Sequence, residues 1–229
     1  MSATKTSEIF NQRSFVYRKM DAITLKNMGD SALVTKVASE GDSKKLAANL
    51  ALIDMSVAAR ISFRRTNVRS HLDAAKLPVP SKPNMLQQNE AASLMSLRLS
   101  ENEYWVLDGS TTMGETLQEL SALPVPDNCY CLYCQNSHAW FMLTGKYIEQ
   151  TMAKLCGVDL RKQSFPLDAI VQTSVARVNA VIVRHKVNKI PVFSILSDSS
   201  SAEYLWDSLL DAMNEFNGHV VGTDALGID

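Results

Sequence analysis

Between Cys129 and His138 the chain reads CYCLYCQNSH, which brings three thiols and an imidazole into ten consecutive residues. Thiolate sulfur and imidazole nitrogen are suitable donors for zinc, and a Cys-x2-Cys step such as Cys131 to Cys134 is common in zinc sites. The spacing is nevertheless incomplete. On a strand Cys129 and Cys131 would face one way and Cys134 the other. Free cysteine behaves as a small buried hydrophobe, so core packing is expected and no metal ligand is assigned. A redox reading of Cys131 and Cys134 meets its own obstacle. Thioredoxin-like pairs sit where a helix N-terminus lowers the thiol pKa, whereas aromatic residues on a strand flank this pair.

Nucleophilic catalysis requires a base beside Ser, Cys or Thr, and that base must itself be oriented. The four histidines, His71, His138, His185 and His219, stand in no GxSxG elbow or comparable string. Neither G-x-G-x-x-G nor G-x-x-x-x-G-K-[ST] occurs, and nine glycines are a poor supply for phosphate cradles. No residue is assigned to catalysis or to cofactor binding. The stretch SFPLDAIVQTSVARVNAVIVRH, residues 164–185, reads as scaffold. Gln172, Ser174 and Arg177 interleave with Val171, Thr173 and Val175, which predicts a strand with one wet face. A turn near Arg177 to Asn179 and a more buried strand follow. Pro166 suits the start of the first strand, where its missing N–H costs least.

The elements around these residues follow from patterning. Residues 1–47 are expected to form an N-terminal arm, partly irregular, with one or two short elements. From Leu50, ALIDMSVAARISF has strand composition and TNVRSHLDAAK a helical one, with Val68 and Leu72 at i, i+4 spacing. Residues 77–90 hold three prolines and no period, so an extended connection is expected. ASLMSLRLS and EYWVLD alternate around ENE as a hairpin does. TTMGETLQEL then opens a helix with Thr112 and Glu115 in capping-box register. The order begins again with NCYCLYC and HAWFMLT as strands and GKYIEQTMAKLC as a helix. Three more strands and a long helix follow, the helix with Ser200 and Glu203 as its capping box.

The two halves superimpose along the sequence. Phe63 and Leu143, Val68 and Ile148, and Leu72 and Met152 are each 80 positions apart, whereas Thr112 and Ser200, Glu115 and Glu203, and Leu117 and Leu205 are each 88 apart. This predicts one α+β domain over 48–229, built of two β-α-β-β-α-type halves (about 48–123 and 127–217) and a short C-terminal tail. Mainly antiparallel sheet with packed helices is expected.

Composition bounds the function. The net charge of −1 opposes a large electrostatic footprint for nucleic acid or anionic lipid, so neither nucleic acid nor membrane is expected as a partner. At this length roughly 70% of the unfolded surface can be buried without staples. The N-terminus MSATKTSEIFNQRSF has no apolar leader pattern, so a cytoplasmic location and free thiols are expected.

Five segments, ALIDMSVAARISF, LRLSENEYWVL, MLTGKYIEQTMAKLCGVDL, FPLDAIVQTSVARVNAVIVRH and AEYLWDSLLDA, together resemble the gamma subunit of heterotetrameric sarcosine oxidase. That subunit is similar in turn to the folate-binding domain of the glycine-cleavage T-protein. The resemblance covers about residues 48–216 and implies a T-protein folate-binding-domain-like fold without the extra C-terminal barrel. It also implies a non-catalytic accessory subunit of a hetero-oligomeric flavoenzyme. Such an assembly oxidises sarcosine, or a related N-methyl amino acid, and passes the one-carbon unit to tetrahydrofolate. Its FAD, FMN, NAD, zinc and tetrahydrofolate would lie on other subunits, with none in this chain. The alternative is a stand-alone folate-binding or one-carbon-transfer protein of the T-protein type. The second half has Gly145 in a family-like LTG, whereas the first half has Arg65, which argues against an identical turn there.

A subunit needs anchors. Arg60, Arg64, Arg65 and Arg69 are the densest positive charge and are expected at the solvated ends of a strand and helix, with an acidic partner or a polyglutamyl folate tail as the alternative use. Trp206 follows Leu205 on a helix and does not fully share its direction. Trp206, Tyr204 and Arg65 are therefore the expected partner-interface residues.

Overall fold

Valine-, isoleucine- and phenylalanine-rich runs broken by short polar turns build most of this chain's regular structure into antiparallel ladders. The computed structural model describes residues 10–21, 23–38, 41–89, 94–109, 115–132 and 134–228. The N-terminal segment forms a hairpin of β1 (Ile23–Asn27) and β2 (Ala32–Val37), followed by α1 (Ser43–Asn49). The first half continues with β3 (Ala51–Asp54), β4 (Arg60–Arg65), α2 (Val68–Ala74), β5 (Met85–Asn89), β6 (Leu94–Ser100), β7 (Glu103–Asp108) and α3 (Glu115–Ala122). The second half has β8 (Cys129–Leu132), β9 (His138–Thr144), α4 (Ile148–Ala153), β10 (Ile170–Val175), β11 (Val178–Val187), β12 (Ile190–Asp198) and α5 (Ala202–Asn214). The short β13 (His219–Val220) closes the chain.

Two sheets result. The order is β10-β11-β12-β9-β3-β13 in the first and β5-β6-β7-β4-β8 in the second. Each half therefore donates its leading strand to the other half's sheet: β3 precedes β4 but pairs with β9, and β8 precedes β9 but pairs with β4. All sheet pairings are antiparallel except β13 with β3, so the fold is α+β and mainly antiparallel as expected.

The alternation of side chains along these strands sets the layers. Ala51, Ile53, Trp140 and Met142 of the first sheet meet Met95, Leu97, Trp105 and Leu107 of the second in a common core. On the outer face of the first sheet, Leu52, Phe141 and Phe193 pack beneath α4 and α5. On the outer face of the second, Ile61, Phe63 and Val106 pack beneath Val68 and Leu72 of α2 and Leu117 and Leu120 of α3. Helix, sheet, sheet and helix thus form four layers.

Several local expectations change. The N-terminal segment is part of the core, with Val16, Met20 and Val34 buried beside Leu50 and Leu52. The extended connection ends in a strand, β5, whose polar QQN passed for loop because an edge strand tolerates polar residues on its solvated side. The Ser200–Glu203 capping box does not form: the Asp198 carboxylate accepts the Ser200 N–H at 2.8 Å and starts a 3-10 turn over Ser199–Ser201. The Thr112–Glu115 box lies outside the described residues. The turn after β10 is Ala176–Arg177, both at positive φ, tighter than the expected Arg177–Asn179.

Candidate functional site

The exchange of β3 and β8 between sheets sends the chain through two crossover turns, residues 55–59 and 134–137, and the densest buried polar network joins them. Arg60, only 4% exposed, begins β4 and aims its guanidinium at both turns. Its Nη1 donates to the Ala58 carbonyl at 3.1 Å. Its Nη2 donates to the carbonyls of Ser56 at 3.1 Å, Gln135 at 2.6 Å and His138, while Nε reaches the Cys134 carbonyl at 3.4 Å. Gln135 returns the grip. Its Oε1 accepts the Arg60 N–H at 2.9 Å, and its Nε2 donates to the carbonyls of Val57 at 3.2 Å and Ala58 at 3.1 Å.

Asp54, 4% exposed, completes the network. Its carboxylate accepts the Ser56 N–H at 2.9 Å, and the Ser56 hydroxyl accepts the Trp140 N–H at 3.2 Å. Burial pushes the Asp54 pKa up, while hydrogen bonds from Ser14 and Ser56 and the charge of Arg60 pull it back. Burial lowers Arg60 to about 10, so it stays charged at neutral pH. Its donors are spent on backbone carbonyls, an arrangement that pins two turns together. The expectation that Arg60 is solvated is thus corrected: unpaired carbonyls of two crossing turns need a buried multi-donor side chain, and Arg supplies five N–H groups.

The other arginines separate. Arg64 Nη2 pairs with Glu103 Oε1 at 2.9 Å across β4 and β7, and Arg69 lies 3.8 Å from Asp73 one helical turn on. Arg65 places its guanidinium over the exposed Tyr130 ring, 5.3 Å from its centroid. The expected difference between the two strand-to-helix turns is found one step before each helix, where Asn67 is left-handed at φ of 68° and its mate Tyr147 has φ of −100°. Gly145 has φ of 119°, where a Cβ would meet the Asn49 carbonyl oxygen at 2.4 Å, and Arg65 has φ of 91°. Only this first positive φ is repeated, and there the arginine bears the strain of a left-handed backbone. Arg65→Gly is expected to raise the stability of the free chain by about 1 kcal/mol, read as a higher urea midpoint at unchanged slope.

The cysteines divide as the alternation predicts. Cys129 is buried and Cys131 packs against the same core beneath α2 and α3, whereas Cys134 is buried beside Arg60. Burial raises the pKa of Cys129 and Cys131 and lifts Cys134 to about 11, so these thiols are protonated at neutral pH. Among the described residues no three His, Cys, Asp or Glu side chains converge as metal ligands.

His185, which nothing in its sequence context distinguished, is fully buried in β11. The Ser194 hydroxyl accepts from Trp140 Nε1 at 2.8 Å and lies 2.7 Å from His185 Nε2, to which it donates when that nitrogen is unprotonated. Burial lowers the His185 pKa to about 4. As pH falls through about 6.5 the unfolded chain takes up a proton that the folded chain refuses until about pH 4, so stability falls with pH in that window. A loss of about 3 kcal/mol is expected between pH 7 and pH 4, measured by urea unfolding, and His185→Gln should flatten this part of the slope. Asp54 acts in the opposite sense, since its raised pKa lets the folded state protonate first.

Of the three expected interface residues, two stay at the surface. Tyr204 is 53% exposed on α5 and Arg65 is exposed at the end of β4. Trp206 is corrected. It has no exposed surface and meets Phe141 edge-on at 5.1 Å between ring centroids. The apolar stripe of α5 holds Ala202, Leu205, Trp206, Leu209 and Met213, and a stripe of that width turns two consecutive residues inward.

Among the described residues no helix is long and apolar enough to cross a membrane. The family described as GCVT N-terminal domain matches residues 90–228, more than half of the chain. Among solved structures, the heterotetrameric sarcosine oxidase from Corynebacterium sp. U-96, in complex with pyrrole 2-carboxylate, contains a similar chain. The TM-score is 0.61 and the identity 20%, over 80% of this chain and 89% of that one. The glycine cleavage system aminomethyltransferase T from Bartonella henselae is similar with a TM-score of 0.69 and 16% identity, over 94% of this chain and 60% of that one. No curated protein matches the sequence significantly.

Proposed function

Because this chain belongs to the GCVT N-terminal domain family, we propose that it is a non-catalytic accessory subunit of a multi-subunit flavoenzyme of the sarcosine oxidase type. The reading is carried by one observation: the fold extends over 89% of a chain that is itself part of a heterotetrameric sarcosine oxidase. It is supported by the use to which this chain puts its buried polar groups. Arg60, Gln135, Asp54 and Ser56 hold turns, and His185 and Ser194 bridge strands within a sheet. The assembly would oxidise sarcosine or a related N-methyl amino acid and hand the one-carbon unit to tetrahydrofolate. FAD, FMN, NAD and zinc would reside on its other subunits.

Affinity capture of the tagged chain from its native host, followed by mass spectrometry, tests this. A large and a medium flavin-associated chain and a small one are expected. Recovery of this protein alone overturns the reading.

The similarity to aminomethyltransferase T, which extends over 94% of this chain, favours a second reading as a stand-alone folate-binding protein. Two open grooves test the fit. One is lined by Asn67, Ser70, His71 and Leu123 with prolines, the other by Thr24, Lys36, Asp42 and Asp224. Neither holds a Phe, Tyr or Trp to stack on a pterin ring, so these grooves do not fit folate. Calorimetry with tetrahydrofolate is expected to give no heat, and micromolar binding by the isolated chain would favour the second reading.

A further inference from the structure

Each of the two large sheets has two end strands, and among the described residues β8 is the end strand that no other strand or bridge meets on its outer side. β5 and β10 meet at one corner: Met85 bridges Ala169, Leu86 N–H donates to the Asp168 carbonyl at 2.8 Å, and Ile170 N–H donates to the Asn84 carbonyl at 2.9 Å. The β3 edge is covered by β13, where His219 N–H reaches the Leu50 carbonyl at 3.0 Å and Val221 N–H the Leu52 carbonyl at 3.1 Å. β2 then closes over the same end. Gly222 lies so near it that a Cβ would meet the Thr35 carbonyl oxygen at 2.1 Å.

β8 is the counterpart of β3. Leu52 opposes Leu143 and Cys131 opposes Phe63, and Leu143 and Phe63 are the mates 80 positions apart, so Cys131 stands on β8 where Leu52 stands on β3. Among the described residues no strand does for Cys131 what β13 does for Leu52. An open strand edge presents a row of N–H and C=O groups ready to pair with another chain.

The side chains beside this edge suit a partner. Tyr130 is 54% exposed and Leu132 39%, both on one side of β8, and Leu123 and Val125 are exposed just upstream. Among the described residues, four of the seven large exposed hydrophobic side chains thus fall within ten residues. Arg65, on the neighbouring strand, faces Tyr130 and meets no carboxylate among the described residues, and it is held there at a positive φ. Strain of this kind collects where function demands it.

We propose that β8 is a docking edge onto which another subunit of the assembly adds an extended segment, as β13 adds to β3, with apolar side chains against Tyr130 and Leu132 and a carboxylate at Arg65. The occupant is a different chain. β13 runs parallel to β3, and two copies of β8 related by a two-fold axis would run antiparallel. Main-chain pairing would give the affinity and the flanking side chains the selectivity. The proposal rests on the subunit reading above.

The test uses the full tagged chain in its native host with Leu132→Lys and Arg65→Glu, and Val158→Lys, exposed beyond α4, as control, each first shown to melt as the unaltered protein does. Recovery of the flavin-associated chains is expected to fall by about tenfold for both β8-side variants and to hold for the control. In the assembly, amide hydrogen exchange at residues 130–132 should slow relative to the free chain. If Leu132→Lys fails to fold, Arg65→Glu and the exchange measurement decide. Full recovery with both variants, or unchanged exchange, overturns the docking edge while the subunit reading stands. Recovery of this chain alone overturns both. A homodimer by light scattering that Leu132→Lys splits overturns the assignment to a different chain.

Discussion

Arg60→Ala is expected to cost the folded chain about 4 kcal/mol, measured by urea unfolding at neutral pH. The side chain is buried, so its removal brings no compensating hydration of the carbonyls it leaves behind. Five carbonyls, of Ser56, Ala58, Cys134, Gln135 and His138, lose a charged donor together. Asp54, held near it in the same interior, loses the one positive charge that favours its ionised form. Arg60→Lys keeps the charge but carries three donors on one atom and cannot span both turns, so it should recover only part of the loss. A cost below about 1 kcal/mol for Arg60→Ala would show that the two crossover turns hold without it. Because the turns carry β3 and β8 to opposite sheets, the residual native state should also loosen there first, seen as faster amide exchange at 55–59 and 134–137.

The contrast between Arg60 and its neighbours shows what local sequence encodes. The hairpin of β6 and β7, the helices α2 and α4 and the duplication itself are written in short-range signals: alternation around ENE, i, i+4 pairs, and matched residues 80 and 88 apart. The exchange of β3 and β8 is not, because alternation identifies a strand and one buried face but leaves its partner open. Arg60 looked solvated for the same reason. Its burial depends on carbonyls more than 70 residues away, which only the exchanged topology brings near. The turn at Arg65 was legible in part: the two turns do differ, at Asn67 and Tyr147, but glycine is only a preference and a tertiary scaffold holds the arginine at positive φ. Of the residues beside the open edge, Arg65 was visible as one of four clustered arginines and as an expected interface residue, whereas nothing marked Tyr130. Their juxtaposition follows from the pairing of Arg64 with Tyr130 across β4 and β8.

Pseudo-symmetry also explains why one end of the molecule is dressed and the other bare. The N-terminal hairpin and the C-terminal tail both gather at the β3 end, where the 3-10 turn at Thr223–Leu226 packs against α1 and β2. Neither has a counterpart beside β8 among the described residues. A duplicated shell with additions at one edge has used its own chain to finish one sheet. On the docking proposed above, the other sheet would be finished by a partner, and the strained arginine lies at that edge.

Trp206→Ala is expected to lose about 4 kcal/mol of stability, whereas Tyr204→Ala, two residues away on the same helix, should change it by less than about 0.5 kcal/mol. The difference is one of burial alone: Trp206 fills the space between α5 and the first sheet against Phe141, and Tyr204 is half exposed. Trp206 Nε1 has no protein hydrogen-bond partner among the described residues, so the indole contributes packing and carries an unmet donor. Trp206→Phe removes that donor and most of the ring contact survives, which predicts a cost below about 1.5 kcal/mol. Thermal and urea unfolding of the three variants give the ranking directly. Were Trp206 a docking anchor, Trp206→Ala would leave the unfolding midpoint of the free chain in place and weaken only its recovery with partner subunits. The buried ring predicts the reverse order: the midpoint falls first, and any lost recovery follows from unfolding and returns when the assay is cooled below the lowered midpoint.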